Sequence, residues 1–264
     1  MICHKPSEHW PSFGFCSRCQ VFHGLPSGNA KAYAESVMEA FVTSKRLDYW
    51  MPSAKANPAL HFDQLFPGTN GHMFGIMEAR DAQGTTHWLR AFSSLHGGLR
   101  HVEGWVPPIP PRVFVDDVWA PGEAAIKAVT AQITYLEKDS AAYHRAIAQR
   151  RKMSQVLMQA IKDAYVLTNF RGESQPVEHF FRGEQKMPGG VGDCCAPKLI
   201  QYAARHDLIP ISMAEFYWGP HSAVATKRSG EFYPSCEARC QPILGFMLCG
   251  LDEKTVSDDG HQMT

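Results

Sequence analysis

The sequence predicts an α/β domain: a small sheet covered by helices, with a long helical hairpin inserted into it. Three observations predict it. Residues 73–79 and 87–92 read as two strands on either side of Asp81-Ala82-Gln83-Gly84, a turn-rich tetrad that closes a β-hairpin. Residues 209–218 form a mostly apolar stretch of strand length. Between 122 and 168, Ile126, Val129, Ile133 and Leu136 recur at helical spacing, and Tyr143, Ile147, Val156, Leu157, Ile161 and Ala164 continue after the capping pair Asp139-Ser140. That stretch is expected to form a helical hairpin, or one long bent helix, packed on the sheet.

Bulk properties narrow the function classes. The chain has 264 residues, 44% of them hydrophobic, enough for a substantial core. Lys+Arg and Asp+Glu balance at 26 each, which excludes a global basic field for sequence-blind nucleic-acid binding. No run approaches the roughly 18 apolar residues of a membrane span. The N-terminus carries Cys3, His4, His9, Cys16 and Cys19 in place of a signal-peptide core. A soluble, cytoplasmic protein with no membrane partner is expected. Eight cysteines, two of them adjacent and four in close pairs, suit a reducing compartment and metal-binding or catalytic thiols.

The chain divides into three parts. Residues 1–28 are rich in Cys and His, and the Cys16-Ser17-Arg18-Cys19 pair could anchor a zinc knuckle completed from Cys3, His4, His9 and His23, with Cys3 and His23 the preferred pair. Residues 29–251 read as a single domain and 252–264 as a polar tail. Asn29 is expected to cap a helix whose apolar face is Ala34, Val37, Met38 and Phe41. A connection with Pro52, Pro58 and Pro67 leads to the hairpin. Past it, Pro107, Pro108, Pro110 and Pro111 make an extended crossing segment. In the helical insertion, Arg145, Arg150, Arg151 and Lys152 read as a solvated face.

The chemistry concentrates in 189–251. Gly189, Gly190 and Gly192 permit a tight turn, and Asp193, Cys194 and Cys195 open a helix that accepts Pro197 in its first turn and buries Ala196, Leu199, Ile200 and Ala203. A thiol at a helix N-terminus sits in positive potential, which favours the thiolate that a nucleophile or a zinc ligand needs. Glu215 lies inside the apolar strand, where a carboxylate is costly unless paired or functional. Pro242 starts the last helix near Gln241, so Cys236 and Cys240 fall in the preceding loop or first turn. Cys249 reads as an ordinary reduced cysteine.

Two chemistries use these parts. In one, Cys194, Cys236 and Cys240 hold Zn2+ with a fourth position open for water. The order of hairpin, helix with one ligand, strand and helix with two ligands resembles the zinc-dependent cytidine deaminase-like superfamily, which implies a three-layer α/β/α fold and a nucleobase, nucleotide or RNA substrate. The chain departs from that pattern in two places. Ala196 stands at the position of the general acid/base Glu, leaving Asp193 or Glu215 to move the proton, and three residues separate Cys236 from Cys240 in place of two. In the other chemistry, Gly192-Asp193-Cys194 is similar to the helix start of transglutaminase-like and papain-like thiol hydrolases. Cys194 would then be the nucleophile and His221 its base.

A wider resemblance covers roughly 25–251. The stretches MFGIMEARDAQGTTHWLRAFSSL, GWVPPI, RRKMSQ, GDCCAPKLIQYA, MAEFYWG and FYPSCEARCQPILGFMLCGL resemble the N-terminal accessory extension of one branch of RluA-type RNA pseudouridine synthases. The resemblance implies a free-standing accessory domain without the synthase domain. It also implies a setting near RNA modification, in which the domain could instead be a non-catalytic, zinc-stabilised module that binds RNA or a protein partner. Arg46-Leu47-Asp48 matches the synthase motif by coincidence only.

Overall fold

A computed structural model describes residues 6–66, 71–94, 99–181, 187–220 and 226–254. Strands β1 (Ser12–Cys16) and β2 (Val21–Leu25) form an antiparallel hairpin. Helix α1 (Gly28–Ser44) follows, then β3 (His72–Arg80) and β4 (Thr86–Phe92), joined by the predicted Asp81–Gly84 turn. Asp81 Oδ1 accepts from the amides of Gln83 and Thr85 at 3.0 and 2.8 Å, the local bonding that makes Asp a turn former. Helices α2 (Ala120–Ile133) and α3 (Ala141–Ala164), the small pair β5 (Val166–Thr168) and β6 (Ser174–Pro176), α4 (Cys195–Arg205), β7 (Ile209–Trp218) and α5 (Gln241–Met247) complete the order.

The principal sheet has strand order β4-β3-β7, antiparallel throughout, with Gly75 opposite Glu215 and Met77 opposite Met213. Alternation along β3 sends side chains to two faces. Phe74 and Ile76, with Ala214 and Phe216, bury against Ala30, Ala34, Val37 and Phe41 of α1. Met77 and Ala79, with Met213, bury against Leu199, Ile200 and Ala203 of α4. The protein is therefore a mixed α/β fold with a helix on each face of a small sheet. A Cβ on Gly75 would stand 2.5 Å from the Cys195 Cβ, so glycine lets the start of α4 lie directly on the sheet.

The proline segment crosses as expected and also builds core. Trp105 is buried and packs edge-on to Phe74 and Phe92, and the Val106 amide bonds to the Arg90 carbonyl at 2.7 Å. Arg46 and Asp48 pair with one another at 2.7 Å in a tight loop, a structural use of the Arg-Leu-Asp stretch.

Three local expectations need correction. Asn29 does not cap α1; the helix starts at Gly28, and the Ala30 amide is taken by Ser212 Oγ of β7 at 3.1 Å. A side chain from the sheet thus fills the orphan position at the helix start. The insertion is a helical hairpin, because Asp139 adopts a left-handed φ of 65° and Ser140 caps α3 by accepting from the Tyr143 amide at 3.1 Å. It does not pack on the sheet. Helix α3 lies on α2, β6 and the segments 115–119 and 177–180, and none of its residues is buried. Its helical pattern also ends early, since Val166–Thr168 pairs with Ser174–Pro176 as strand. Among the described residues no helix is long and apolar enough to cross a membrane. Residues 255–264 of the polar tail lie outside the described residues.

Candidate metal centre

The glycine turn delivers Cys194 to the start of α4. Gly190 and Gly192 have φ of 76° and 87°, which glycine adopts without strain, and a Cβ on Gly192 would stand 2.6 Å from the Tyr165 ring. Cys194 occupies the N-cap position in extended backbone. Across the pocket, the Cys240 and Gln241 amides both bond to the Cys236 carbonyl at 3.1 Å. That turn draws the Cys-x3-Cys pair together, with sulfurs 3.5 Å apart. The sulfurs of Cys194, Cys236 and Cys240 all lie within 4.8 Å of one another. Bonds of 2.3 Å to a tetrahedral zinc would place sulfurs about 3.8 Å apart.

The donor chemistry fits a divalent cation. Hydrogen bonds from Cys194 and Cys240 push the Cys236 thiol well down, and the same sharing pushes Cys194 up to about 12 and raises Cys240 as well. Crowding thus opposes ionisation of all three thiols together, and a positive ion beside them would relieve it. Cys195 is not part of this set. It is fully buried, donates to the Met73 carbonyl at 3.2 Å, and burial raises its thiol strongly. These residues can hold a metal ion through three thiolates, leaving one position of a tetrahedron open.

Glu215 enters from β7. Its Oε1 accepts from the Ala196 amide at 3.1 Å, and its Oε2 accepts from the Ser235 hydroxyl at 3.0 Å. Burial raises the carboxyl to about 6 against these two hydrogen bonds, which lower it. Glu215 and Asp193 line one small pocket, of about 150 Å³, with all three cysteines, Ser94, Lys227 and Arg239. Asp193 accepts from the Tyr165 hydroxyl, and burial raises its carboxyl too. A larger cleft of about 710 Å³ shares Ser94, Gly190 and Asp193 with this pocket and runs out between the glycine turn and the helical insertion. Trp119, Tyr165, Arg100 and Lys162 stand in its wall, with the Arg100 guanidinium 3.8 Å above the Trp119 ring.

The expected residues Asp193, Cys194, Glu215, Cys236 and Cys240 therefore converge. His221 and Cys3 lie outside the described residues. Ser235, Ser94 and Lys227 were not expected; only Ser235, beside Cys236, carried a positional hint. The N-terminal expectation changes in composition. Cys16, Cys19 and His23 do come together, and their fourth neighbour is Cys249. Cys249 is therefore no isolated reduced cysteine, since its sulfur is 3.2 Å from that of Cys19. Compared with protein-family models, with curated proteins and with solved structures, the chain has no match.

Proposed function

We propose that this chain is a zinc-dependent, deaminase-like hydrolase acting on a nucleobase carried by a nucleotide or RNA. The observation that carries the reading is the Glu215 carboxylate at the Ala196 amide, 3.1 Å away, in the pocket of the three cysteines. A carboxyl group from the neighbouring strand lines the pocket of the three cysteines, where Ala196 supplies none. Zn2+ on Cys194, Cys236 and Cys240 would supply a Lewis acid that makes a water nucleophilic near neutral pH. Glu215 takes a proton on a carboxylate oxygen and returns it to the leaving amine. Ser235 holds that carboxylate in place, and Asp193, anchored by Tyr165, lines both this pocket and the larger cleft. A cleft of about 710 Å³ falls in the size range of small-ligand sites and suits a nucleotide. The order of hairpin, α4, β7 and α5, with a helix layer on each face of the sheet, supports the same reading.

The test is ammonia release from cytosine, adenine and guanine nucleosides, nucleotides and short RNAs, alongside zinc content. Wild-type turnover that vanishes in Cys194→Ser together with the zinc of this pocket, and in Glu215→Gln without loss of zinc, is the expected result. Full turnover in Glu215→Gln would overturn the assignment of that residue. Zinc binding with no turnover on any of these substrates would leave the non-catalytic RNA- or partner-binding module as the better account. Iodoacetamide-sensitive hydrolysis of acyl substrates, with Cys194→Ser leaving metal content intact, would favour the thiol hydrolase.

A further inference from the structure

We infer that Cys16, Cys19, His23 and Cys249 hold a second, structural Zn2+ that clamps the β1–β2 hairpin onto α5. Their ligand atoms lie within 4.8 Å of one another; Cys16, His23 and Cys249 are buried and Cys19 is partly so. Three thiolates and one imidazole fill a tetrahedron and leave no position for water, the composition of a structural site. The Cys194 centre has one ligand fewer.

His23 is the observation that points to a cation. Its Nε2 is buried with no hydrogen-bond partner, while Nδ1 lies 3.5 Å from Asp252 Oδ2. An imidazole nitrogen left bare in the interior costs free energy. With Nδ1–H directed at Asp252, the Nε2 lone pair becomes a zinc ligand and both nitrogens are satisfied, the usual pairing of a ligating histidine with a carboxylate behind it. A cluster of thiols alone offers Nε2 nothing comparable.

The ligands come from opposite ends of the chain. Cys19 and Cys249 are 230 positions apart, so one metal closes a very long loop. What it clamps is a backbone-to-backbone contact, because a Cβ on Gly14 would stand 2.3 Å from the Gly245 nitrogen. The same hairpin supports the first centre from outside. Ser12 of β1 is 2.9 Å from the Ser235 hydroxyl, and Ser235 in turn bonds to Glu215. Helix α5 is capped by Cys240 and ends two residues before Cys249, so the clamp fixes the element whose N-cap is a ligand of the other centre.

The experiment uses the full chain purified without added metal. Zinc per chain is measured for wild type, Cys249→Ser and Cys194→Ser/Cys236→Ser. Wild type is also alkylated with and without a chelator, and the modified peptides are identified by mass spectrometry. Two zinc ions are expected in wild type and one in each variant, with Cys16, Cys19 and Cys249 protected until the chelator is added. Alkylation of these three at the same rate with and without chelator overturns the inference even if Cys249→Ser fails to fold. So does a Cys19–Cys249 disulfide in protein isolated without oxidant, or no zinc in Cys194→Ser/Cys236→Ser. Ammonia release plays no part in these outcomes, so the second centre stands or falls apart from the proposed reaction.

Discussion

The Glu215 carboxylate accepts the Ala196 amide at 3.1 Å, so a strand residue satisfies one of the free N–H groups in the first turn of the facing helix. The contact joins β7 to α4 beside the cysteine pocket. It also separates two roles of Glu215 that substitution can distinguish. Glu215→Gln retains an oxygen for Ala196 but cannot exchange a proton, so stability should stay near wild type while turnover falls by about 10²–10⁴-fold. Glu215→Ala leaves the buried amide unpaired and should cost a further 1–3 kcal/mol, roughly, in urea unfolding. Equal stability losses in the two variants would sink this account.

Metal removal should expose the thiols. In the proposed site, removing the cation lets the crowded thiols of Cys194, Cys236 and Cys240 take up protons again and removes the ion that would link α4 to α5. Dialysis against a chelator should lower the thermal midpoint, and stoichiometric zinc should restore it, because a ligand that binds only the folded state raises stability by mass action. A midpoint indifferent to both treatments would remove metal from the account of this pocket.

The hairpin on α5 should tolerate no side chain at Gly14. An added Cβ would meet the Gly245 nitrogen at 2.3 Å and the Gln241 carbonyl oxygen at 2.4 Å, both backbone atoms that cannot rotate away. Gly14→Ala should destabilise by roughly 1–3 kcal/mol, the usual cost of overpacking. Gly189→Ala is the control, since nothing stands within 4 Å of its Cβ, and it should shift stability by less than about 0.5 kcal/mol. Similar urea midpoints for the two variants would contradict the contact.

Acid should weaken the fold through His72 and His101. Burial lowers both below the ordinary 6.5, with Arg112 repelling the charged form of His101 and the backbone at Ser93 partly offsetting the shift at His72. Between the lowered values and 6.5 the unfolded chain binds more protons than the folded one. The stability is therefore complete above about pH 6.5 and is lost as the pH falls through the folded values. Glu215, raised to about 6, acts in the opposite sense, so the difference between wild type and His72→Gln/His101→Gln is what isolates the histidines. Urea unfolding from pH 7.5 to 5.5 should show a shallower decline in the double variant; parallel curves would rule the histidines out.

Much of the fold was legible because it is written in short windows. The Asp81–Gly84 turn, the Ile209–Trp218 strand and the Pro242 start of the last helix each follow from neighbouring residues. The same holds for Cys194, Cys236 and Cys240, whose places at two helix starts made them candidates. The expectations that changed involve distant partners. Ser212, on β7, took the capping role assigned to Asn29. The insertion kept its helices but not its place on the sheet, because an amphipathic stripe shows that a face must be covered and not by what.

The sequence by itself determined the α/β class, the β3–β4 hairpin, β7, the main helices and the thiols that sit at helix starts, since periods of 3.6 and 2 residues and turn chemistry are local properties; the β1–β2 and β5–β6 pairs escaped it. Only the tertiary structure decided which side chains meet. The strand register sets Glu215 opposite Gly75 and turns it toward Ala196, and the packing of α5 on β1 brings Cys249 to Cys19 across 230 positions. Such meetings depend on how elements pair and pack, and local patterning does not encode that.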